Sequence, residues 1–455
     1  MANTVNPPRG MRDFLPADKA RREHALGIIR SVYRAHGFDE IETPVVEDYA
    51  RLHAGLGGDN EKLSFSILKR GIKPEVLAAA AETGDAEQLA DLGLRFDLTV
   101  PLTRFYASHR AELPPVFRSI QIAPVWRAER PQKGRYRQFV QADIDIIGES
   151  GLLAEIELIT ATSQTLAALG LTGCVIRVND RRILFGLLEH CGFAAETHDH
   201  ALIIIDKLDK IGVAGVTDEL RAIDELAAGR MSEVLSAVEP ALAGAASADT
   251  ANADTASADA ATAADRIPGI ELTRAAIESV LPEGAAEAGV ASLAELGAAL
   301  AGGLPEGVAV RFDPTLVRGM GYYTGTIFEV AHPGSGSSVG GGGRYDGMIG
   351  RFLGQDVPAV GFSIGFERVV DLIELPESTG PQSVALIADA DAELVDLLQL
   401  KRDLIARGHR VRLEKRQKNM KALLARIVAD GFASVANVRP GVSDVDALEF
   451  RNLAE

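Results

Sequence analysis

Phe117-Arg-Ser-Ile-Gln-Ile-Ala-Pro-Val-Trp-Arg-Ala-Glu-Arg-Pro-Gln-Lys-Gly-Arg-Tyr-Arg-Gln-Phe-Val-Gln-Ala-Asp-Ile-Asp145 is the stretch on which the fold turns. Two alternating runs, Ser119–Arg127 and Gln138–Ile147, flank a basic loop, Arg130–Arg135, that contains Gly134. A period of two predicts a pair of antiparallel strands joined by that loop. Arg127 and Glu129 share parity on the first strand, and Gln141, Asp143 and Asp145 share parity on the second. One face therefore gathers a guanidinium, an amide and carboxylates. A solvated ladder of cross-strand ion pairs would have the same parity, but it has no use for a glycine-containing cationic loop.

Outward from this hairpin, residues 17–36 read as an amphipathic helix closed by Gly37. A strand, Phe38–Val46, follows, and its Pro44 removes a ladder donor and assigns it to an edge or interface. Further strand-like runs are Gly93–Asp97, Val308–Phe312, Thr324–Val330 and Ala359–Ile364, with few helices expected before residue 150 and a helix over Leu152–Leu169. The spacing is that of an antiparallel sheet in an α+β fold. Residues 1–180 and 306–376 read as two parts of one core. Residues 181–305 read as a helical insertion, whose segment 241–265 holds almost only Ala, Asp, Ser, Thr, Asn and Gly and is expected to be loose. Residues 383–455 alternate strand and helix as a separate α/β domain.

Composition narrows the function. The 455 residues carry a net charge of −17, which argues against a nucleic-acid binder basic over its whole surface. The charge is uneven: ten Lys and Arg lie between residues 401 and 426, opposed there only by Asp403 and Glu414, and such a local face suffices for phosphate contacts. The same residues equally fit two solvated helix faces. Two cysteines, Cys174 and Cys191, build neither a disulfide framework nor a zinc cluster. No apolar run is long enough to span a bilayer and the first residues lack a signal peptide's apolar core, so a cytoplasmic protein without membrane contact is expected.

Three more runs carry chemistry. Asp313-Pro-Thr-Leu-Val-Arg-Gly-Met-Gly-Tyr-Tyr-Thr-Gly-Thr-Ile-Phe-Glu329 sets Arg318 ahead of the pair Tyr322 and Tyr323 on a glycine-punctuated turn. Gly340-Gly-Gly-Gly-Arg-Tyr-Asp-Gly347 taken alone also fits a plain flexible loop. Pro358-Ala-Val-Gly-Phe-Ser-Ile-Gly-Phe-Glu-Arg368 reads as a strand entering a helix, with Arg368 at the helix start and available to a phosphate.

The Arg127/Glu129 hairpin resembles motif 2 of the class II aminoacyl-tRNA synthetases, Gly37–Pro44 resembles motif 1, and Pro358–Arg368 resembles motif 3. Arg318–Gly325 and Gly341–Gly347 resemble the two signatures of the histidyl-tRNA synthetases, and Pro8–Asp13 and Leu94–Pro101 are also similar to that family. The resemblance covers residues 7–376 in order and, weakly, the C-terminal domain. It departs from the family at Gly321, where many members carry Asp.

What the resemblance implies is a class II catalytic core with a helical insertion and a C-terminal anticodon-binding-like α/β domain. The implied activity is ATP-dependent formation of histidyl-adenylate and transfer of histidine to tRNA(His) in protein biosynthesis, with Mg2+ alongside ATP and a homodimer as the assembly. Arg127 and Arg318 would be the catalytic cations. ATP would meet Arg127, Glu129 (at the adenine edge), Arg135 and Arg368. Histidine would meet Asp97, Thr99 and Gln141 at its ammonium and carboxylate end, then Asp145, Tyr322, Tyr323 and Tyr345 around its ring, with Arg318 at the carboxylate. The alternative is a non-catalytic regulatory paralogue that partners ATP phosphoribosyltransferase in histidine biosynthesis.

Overall fold

The computed structural model describes residues 5–53, 63–84, 86–131, 134–244, 267, 269–318, 323–374 and 383–453. Tyr322, Gly321 and nearly all of the Ala-rich segment, 245–265, lie outside the described residues. The chain forms two compact units, one of residues 1–13 with 23–373, the other of 14–22 with 374–455. Among the described residues no helix is long and apolar enough to cross a membrane.

The larger unit begins with α1 (Pro16–Ala35, its first residues counted with the other unit), β1 (Asp39–Glu40), β2 (Val46–Asp48), α2 (Tyr49–His53), β3 (Phe65–Leu68), α3 (Pro74–Thr83), β4 (Ala90–Leu94) and α4 (Thr99–His109). The long hairpin β5 (Phe117–Trp126) and β6 (Gln138–Ile147) follows, then α5 (Leu153–Ala168) and β7 (Cys174–Asp180). Four helices come next: α6 (Arg181–Cys191), α7 (His198–Ile205), α8 (Leu208–Leu220) and α9 (Glu225–Gly244). After them lie β8 (Ile270–Glu271), α10 (Arg274–Glu278) and α11 (Glu287–Leu300). The unit closes with β9 (Val308–Phe312), β10 (Thr326–Ala331), β11 (Gly340–Arg344), α12 (Asp346–Leu353), β12 (Ala359–Ile364) and α13 (Phe366–Leu372).

Nine of these strands make one sheet in the order β1-β5-β6-β12-β11-β10-β7-β9-β8. Its pairings are antiparallel except β1–β5 and β7–β9. Along β6 the inward set Ala142, Ile144 and Ile146 packs on Ile29 and Tyr33 of α1 and Leu158 and Ile159 of α5. On the other face, at one end, Phe117, Ile147 and Ala359 pack against Val100, Leu102 and Tyr106 of α4 and Met348 and Ile349 of α12. The middle of that face carries polar side chains and glycines, among them Gln121, Asp143, Ser363, Gly341 and Glu329.

Several expectations change. The strand predicted over Phe38–Val46 divides: β1 is an edge strand of the large sheet and β2 pairs with β4 in a separate three-stranded sheet. Pro44 falls at the break, because it cannot donate to a ladder. Helices α2, α3 and α4 intervene before residue 150, where few were expected. The start of α4 was hidden by Thr99, Val100 and Pro101, yet proline is tolerated in a first helical turn, and the Asp97 carboxylate accepts from Val100 N at 3.1 Å. The run Gly340–Gly343, which also fitted a flexible loop, is a buried central strand. Strand β7 was not foreseen, and β8 adds a strand within the stretch read as helical.

The smaller unit holds β13 (Ser383–Ala388), α14 (Leu394–Ala406), β14 (Arg410–Lys415), α15 (Met420–Ala429), β15 (Ser434–Val438) and β16 (Phe450–Asn452). Its sheet has the order β14-β13-β15-β16; the first three strands are parallel and β16 is antiparallel. The predicted alternation is present, with β16 added.

Candidate active site

Strand register builds the site. Across the sheet, Gln121, Asp143, Ser363, Gly341, Glu329 and Arg177 occupy successive paired positions on β5, β6, β12, β11, β10 and β7. Because side chains alternate in a strand, that row points to one face. Ser119, Asp145, Gly361, Gly343 and Ile327 form the row two residues away. Over these rows opens a cavity of about 930 Å³.

Glycines make its floor. A Cβ on Gly341 would come within 2.1 Å of the Arg318 guanidinium, and one on Gly361 within 2.0 Å of the Asp145 carboxylate. Neither is a contact real atoms can make, so glycine at these positions lets charged side chains lie flat on the sheet. This explains the glycine strand: its residues are absent side chains where others must pass.

The cavity is lined by cations and acids together. Arg318 donates to Glu329 at 2.9 Å and to the Gly340 carbonyl at 3.2 Å. Glu329 is shared with Arg177, which also pairs with Asp313 at 3.0 Å. Arg368, in the first turn of α13, donates to the Ser338 carbonyl. Burial, with Arg135 and Arg318 nearby, lowers its pKa. Arg127 donates to the Phe96 carbonyl at 3.0 Å and lies 4.0 Å from Glu129, whose other oxygen takes Arg135 at 3.3 Å. Four guanidiniums thus line one cavity, a site for a polyanion.

Acids line the same cavity. Asp145 accepts from the Tyr345 hydroxyl at 2.6 Å, both buried. Burial pushes the Asp145 carboxyl up to about 7, against the hydrogen bond from Tyr345. Burial also raises Asp97, and it raises Asp143 well above the ordinary range, helped by the charge of Asp145. Gln141 donates to Asp143 and to Ser363, each at 3.3 Å. Tyr323 completes the lining. These carboxylates suit a small cationic ligand carrying N–H donors.

All of the described residues singled out from the sequence line this one cavity: Asp97, Thr99, Arg127, Glu129, Arg135, Gln141, Asp145, Arg318, Tyr323, Tyr345 and Arg368. Arg127 and Glu129 sit just past the end of β5 rather than on it. Other lining residues were not foreseen as site residues. Glu329 and Ser363 carried a signal, since each shares strand parity with a site residue across the ladder. Asp199, Ile203 and Asp206 from the α7 region carried none, because only packing brings that helix to the cavity. The N-terminal motif frames the loop: Arg12 pairs with Glu367 at 2.5 Å and stacks 3.5 Å from the Tyr136 ring centroid, and Gly10 accepts from Arg137 N.

The family model described as histidyl-tRNA synthetase matches residues 10–369. A histidine–tRNA ligase of Leifsonia xyli subsp. xyli is 63% identical over 455 residues, the whole of both chains. A probable histidine–tRNA ligase of Tropheryma whipplei is 42% identical over 436 residues, 96% of each. Among solved structures, a histidyl-tRNA synthetase from Nostoc superposes with a TM-score of 0.71 at 24% identity, covering 99% of this chain and 95% of that one. A Bacillus halodurans protein described as an ATP phosphoribosyltransferase regulatory subunit/histidyl-tRNA synthetase gives 0.70 at 20% identity, covering 97% and 99%. At these identities the two structures speak for the fold.

Proposed function

This chain belongs to the histidyl-tRNA synthetase family and is an aminoacyl-tRNA ligase for histidine, and we propose that the cavity over the glycine strand is where it activates histidine with ATP. The observation that carries the assignment is that one cavity gathers four guanidiniums together with the buried carboxylates Asp143 and Asp145.

In the first step the histidine carboxylate attacks the α-phosphate of ATP and pyrophosphate leaves. Negative charge grows at that phosphate, and Arg127 and Arg318 offset it. Both are held in advance, Arg127 by the Phe96 carbonyl and Arg318 by Glu329 and Gly340, so little reorganisation is needed as the charge develops. Glu129 accepts from the adenine amino group, and Arg135 and Arg368 hold the outer phosphates. Asp97, Thr99 and Gln141 receive the ammonium and carboxylate end of histidine. Asp145, Tyr323 and Tyr345 surround its ring, with Tyr322 assigned there by family resemblance alone. An imidazole N–H given to Asp145 is a selective contact, because an amino acid lacking it leaves a buried carboxylate underpaired. The adenylate then passes its histidyl group to tRNA(His).

Magnesium would travel with ATP. Among the described residues no three His, Cys, Asp or Glu side chains converge to hold a metal, which fits an ion bound mainly by phosphate oxygens and water. The smaller α/β unit, with its basic stretch, is the candidate reader of the anticodon arm. A homodimer working in the cytoplasm completes the proposal. The regulatory alternative gains no support of its own, since Arg127, Arg318 and Arg368 all line the cavity. Pyrophosphate exchange into ATP, assayed with each amino acid in turn, tests the reading: histidine alone should support it. Exchange with no amino acid, or with a different one, would refute it.

A further inference from the structure

Arg177 on β7 does not line the cavity, yet it reaches a residue that does. Its side chain is largely buried and forks between two acids: Nη1 donates to Asp313 at 3.0 Å and Nη2 to Glu329 Oε1. Arg318 takes the other oxygen of Glu329, Oε2, at 2.9 Å. Among the described residues every hydrogen bond of Arg318, to Glu329, Ser338 and Gly340, leaves through Nη1. Nη2 and Nε are thereby spared for a ligand. The anchor is itself fixed. Asp313 Oδ1 accepts from Thr315 N at 2.9 Å and from Thr315 Oγ1 at 2.7 Å. Asn179, of the same parity on β7 as Arg177, donates to the Pro314 and Leu316 carbonyls at 3.2 and 3.1 Å. Strand β7 therefore holds both the turn leading to Arg318 and the carboxylate that Arg318 grips.

We propose that Arg177 is a positioning residue for the activation step: by occupying one oxygen of Glu329 it limits Arg318 to the other, and so keeps the rest of the Arg318 guanidinium open to the reacting groups. The inference rests on the proposed role of Arg318 at the α-phosphate. A carboxylate and a guanidinium left to themselves pair through two parallel hydrogen bonds. Without Arg177, Glu329 Oε1 loses its donor in a largely enclosed place, which is costly. Arg318, already on Oε2, is the cation within reach to replace it. It would close on Glu329 with two nitrogens and withdraw both from the substrate. The charges point the same way. Arg177 and Arg318 balance Asp313 and Glu329, whereas without Arg177 the acids are in excess and draw Arg318 harder. Burial alone would depress the Arg177 pKa, but Asp313 and Glu329 raise it above its ordinary value, so its charge persists.

Histidine-dependent pyrophosphate exchange by the full chain, with melting followed alongside, tests this through a two-residue cycle. Arg177→Met should lower the kcat of exchange at least about tenfold, the scale of a misplaced catalytic group. Glu329→Gln leaves Arg318 one acceptor but no charge and no second acceptor, so alone it should cost only about threefold. Added to Arg177→Met it should raise kcat again, to within about threefold of Glu329→Gln alone, because nothing then draws Arg318 aside. A merely structural Arg177 would give no such recovery. Arg177→Lys, which keeps the charge, should lose no more than about threefold. Arg177→Gln completes the same cycle if the methionine variant does not fold. Losses that multiply in the double variant, or a wild-type rate in Arg177→Met, would overturn the positioning role while leaving the site standing. Wild-type protein without histidine-dependent exchange, or Arg318→Ala with near-normal exchange, would overturn the reading beneath it, and the positioning role with it.

Discussion

Arginines do opposite work in the two units. Around the cavity, Arg127, Arg318 and Arg368 are half-buried and held by carbonyls or one shared carboxylate, with the guanidinium still lining open space. In the α/β unit, Arg407, Arg412, Arg416 and Arg426 close onto the protein's own acids, at 2.5–2.9 Å. Three of those acids, Asp389, Asp430 and Asp446, lie outside residues 401–426, so the stretch is less basic in space than in sequence. Lys401, Arg402, Arg410, Lys415, Lys418 and Lys421 have no ion pair among the described residues. The difference teaches that a count of basic residues predicts charge but not its availability. Surrounding carboxylates decide that, and they come from anywhere in the chain.

The largest effect should come from the cavity. On the proposed role of Arg318 at the reacting phosphate, Arg318→Ala removes a preorganised cation and should lower histidine-dependent pyrophosphate exchange roughly a thousandfold. Near-normal exchange in a folded variant would erase the contrast between the two kinds of arginine.

Asp145→Asn sharpens the role of the carboxylates. Histidine affinity should fall about tenfold, with ATP affinity little changed; equal losses for both ligands would make Asp145 a purely structural residue. The same variant has a pH signature. The folded carboxyl titrates near 7, above its unfolded value of about 3.9. Its contribution to folding is therefore full below about pH 4 and is lost as pH rises through about 7. The amide cannot ionise, so without ligand the variant should melt several degrees above wild type at about pH 8.5, and at about pH 4 the two should nearly coincide. A melting difference that ignores pH would deny the burial argument.

A smaller effect separates free from paired cations in the α/β unit. Lys418→Ala with Lys421→Ala should raise the tRNA KM several-fold and flatten its salt dependence by about two counterions, leaving pyrophosphate exchange intact. Arg416→Ala, which breaks an exposed pair with Asp389, should cost at most about 1 kcal/mol of stability and change the tRNA KM less than about twofold. Identical losses from the two changes would break the comparison. The smallest effect belongs to deletion of residues 245–264, whose largest apolar side chain is alanine. Melting temperature should move by no more than about 2 °C, since there is little to bury.

By itself the sequence determined the β5–β6 hairpin and its polar face, because a period of two needs no knowledge of neighbours. It determined the alternation of the α/β unit, and its ordered motifs picked out residues that the fold gathers around one cavity. Only tertiary structure decided what depends on contacts between distant segments. The run Gly340–Gly343, which taken alone also fitted a loop, is a strand flanked by β10 and β12; Arg318 needs the missing side chain of its Gly341, and Asp145 that of Gly361 on the neighbouring β12. Asp199 and Asp206 reach the cavity only because α7 packs where it does. Asp143 differs from Asp145 through Tyr345, two hundred residues from Asp145 along the chain. A strand's parity is written locally. The partner that satisfies or leaves bare a buried carboxylate is not, because burial and hydrogen bonding are properties of what surrounds a residue in space.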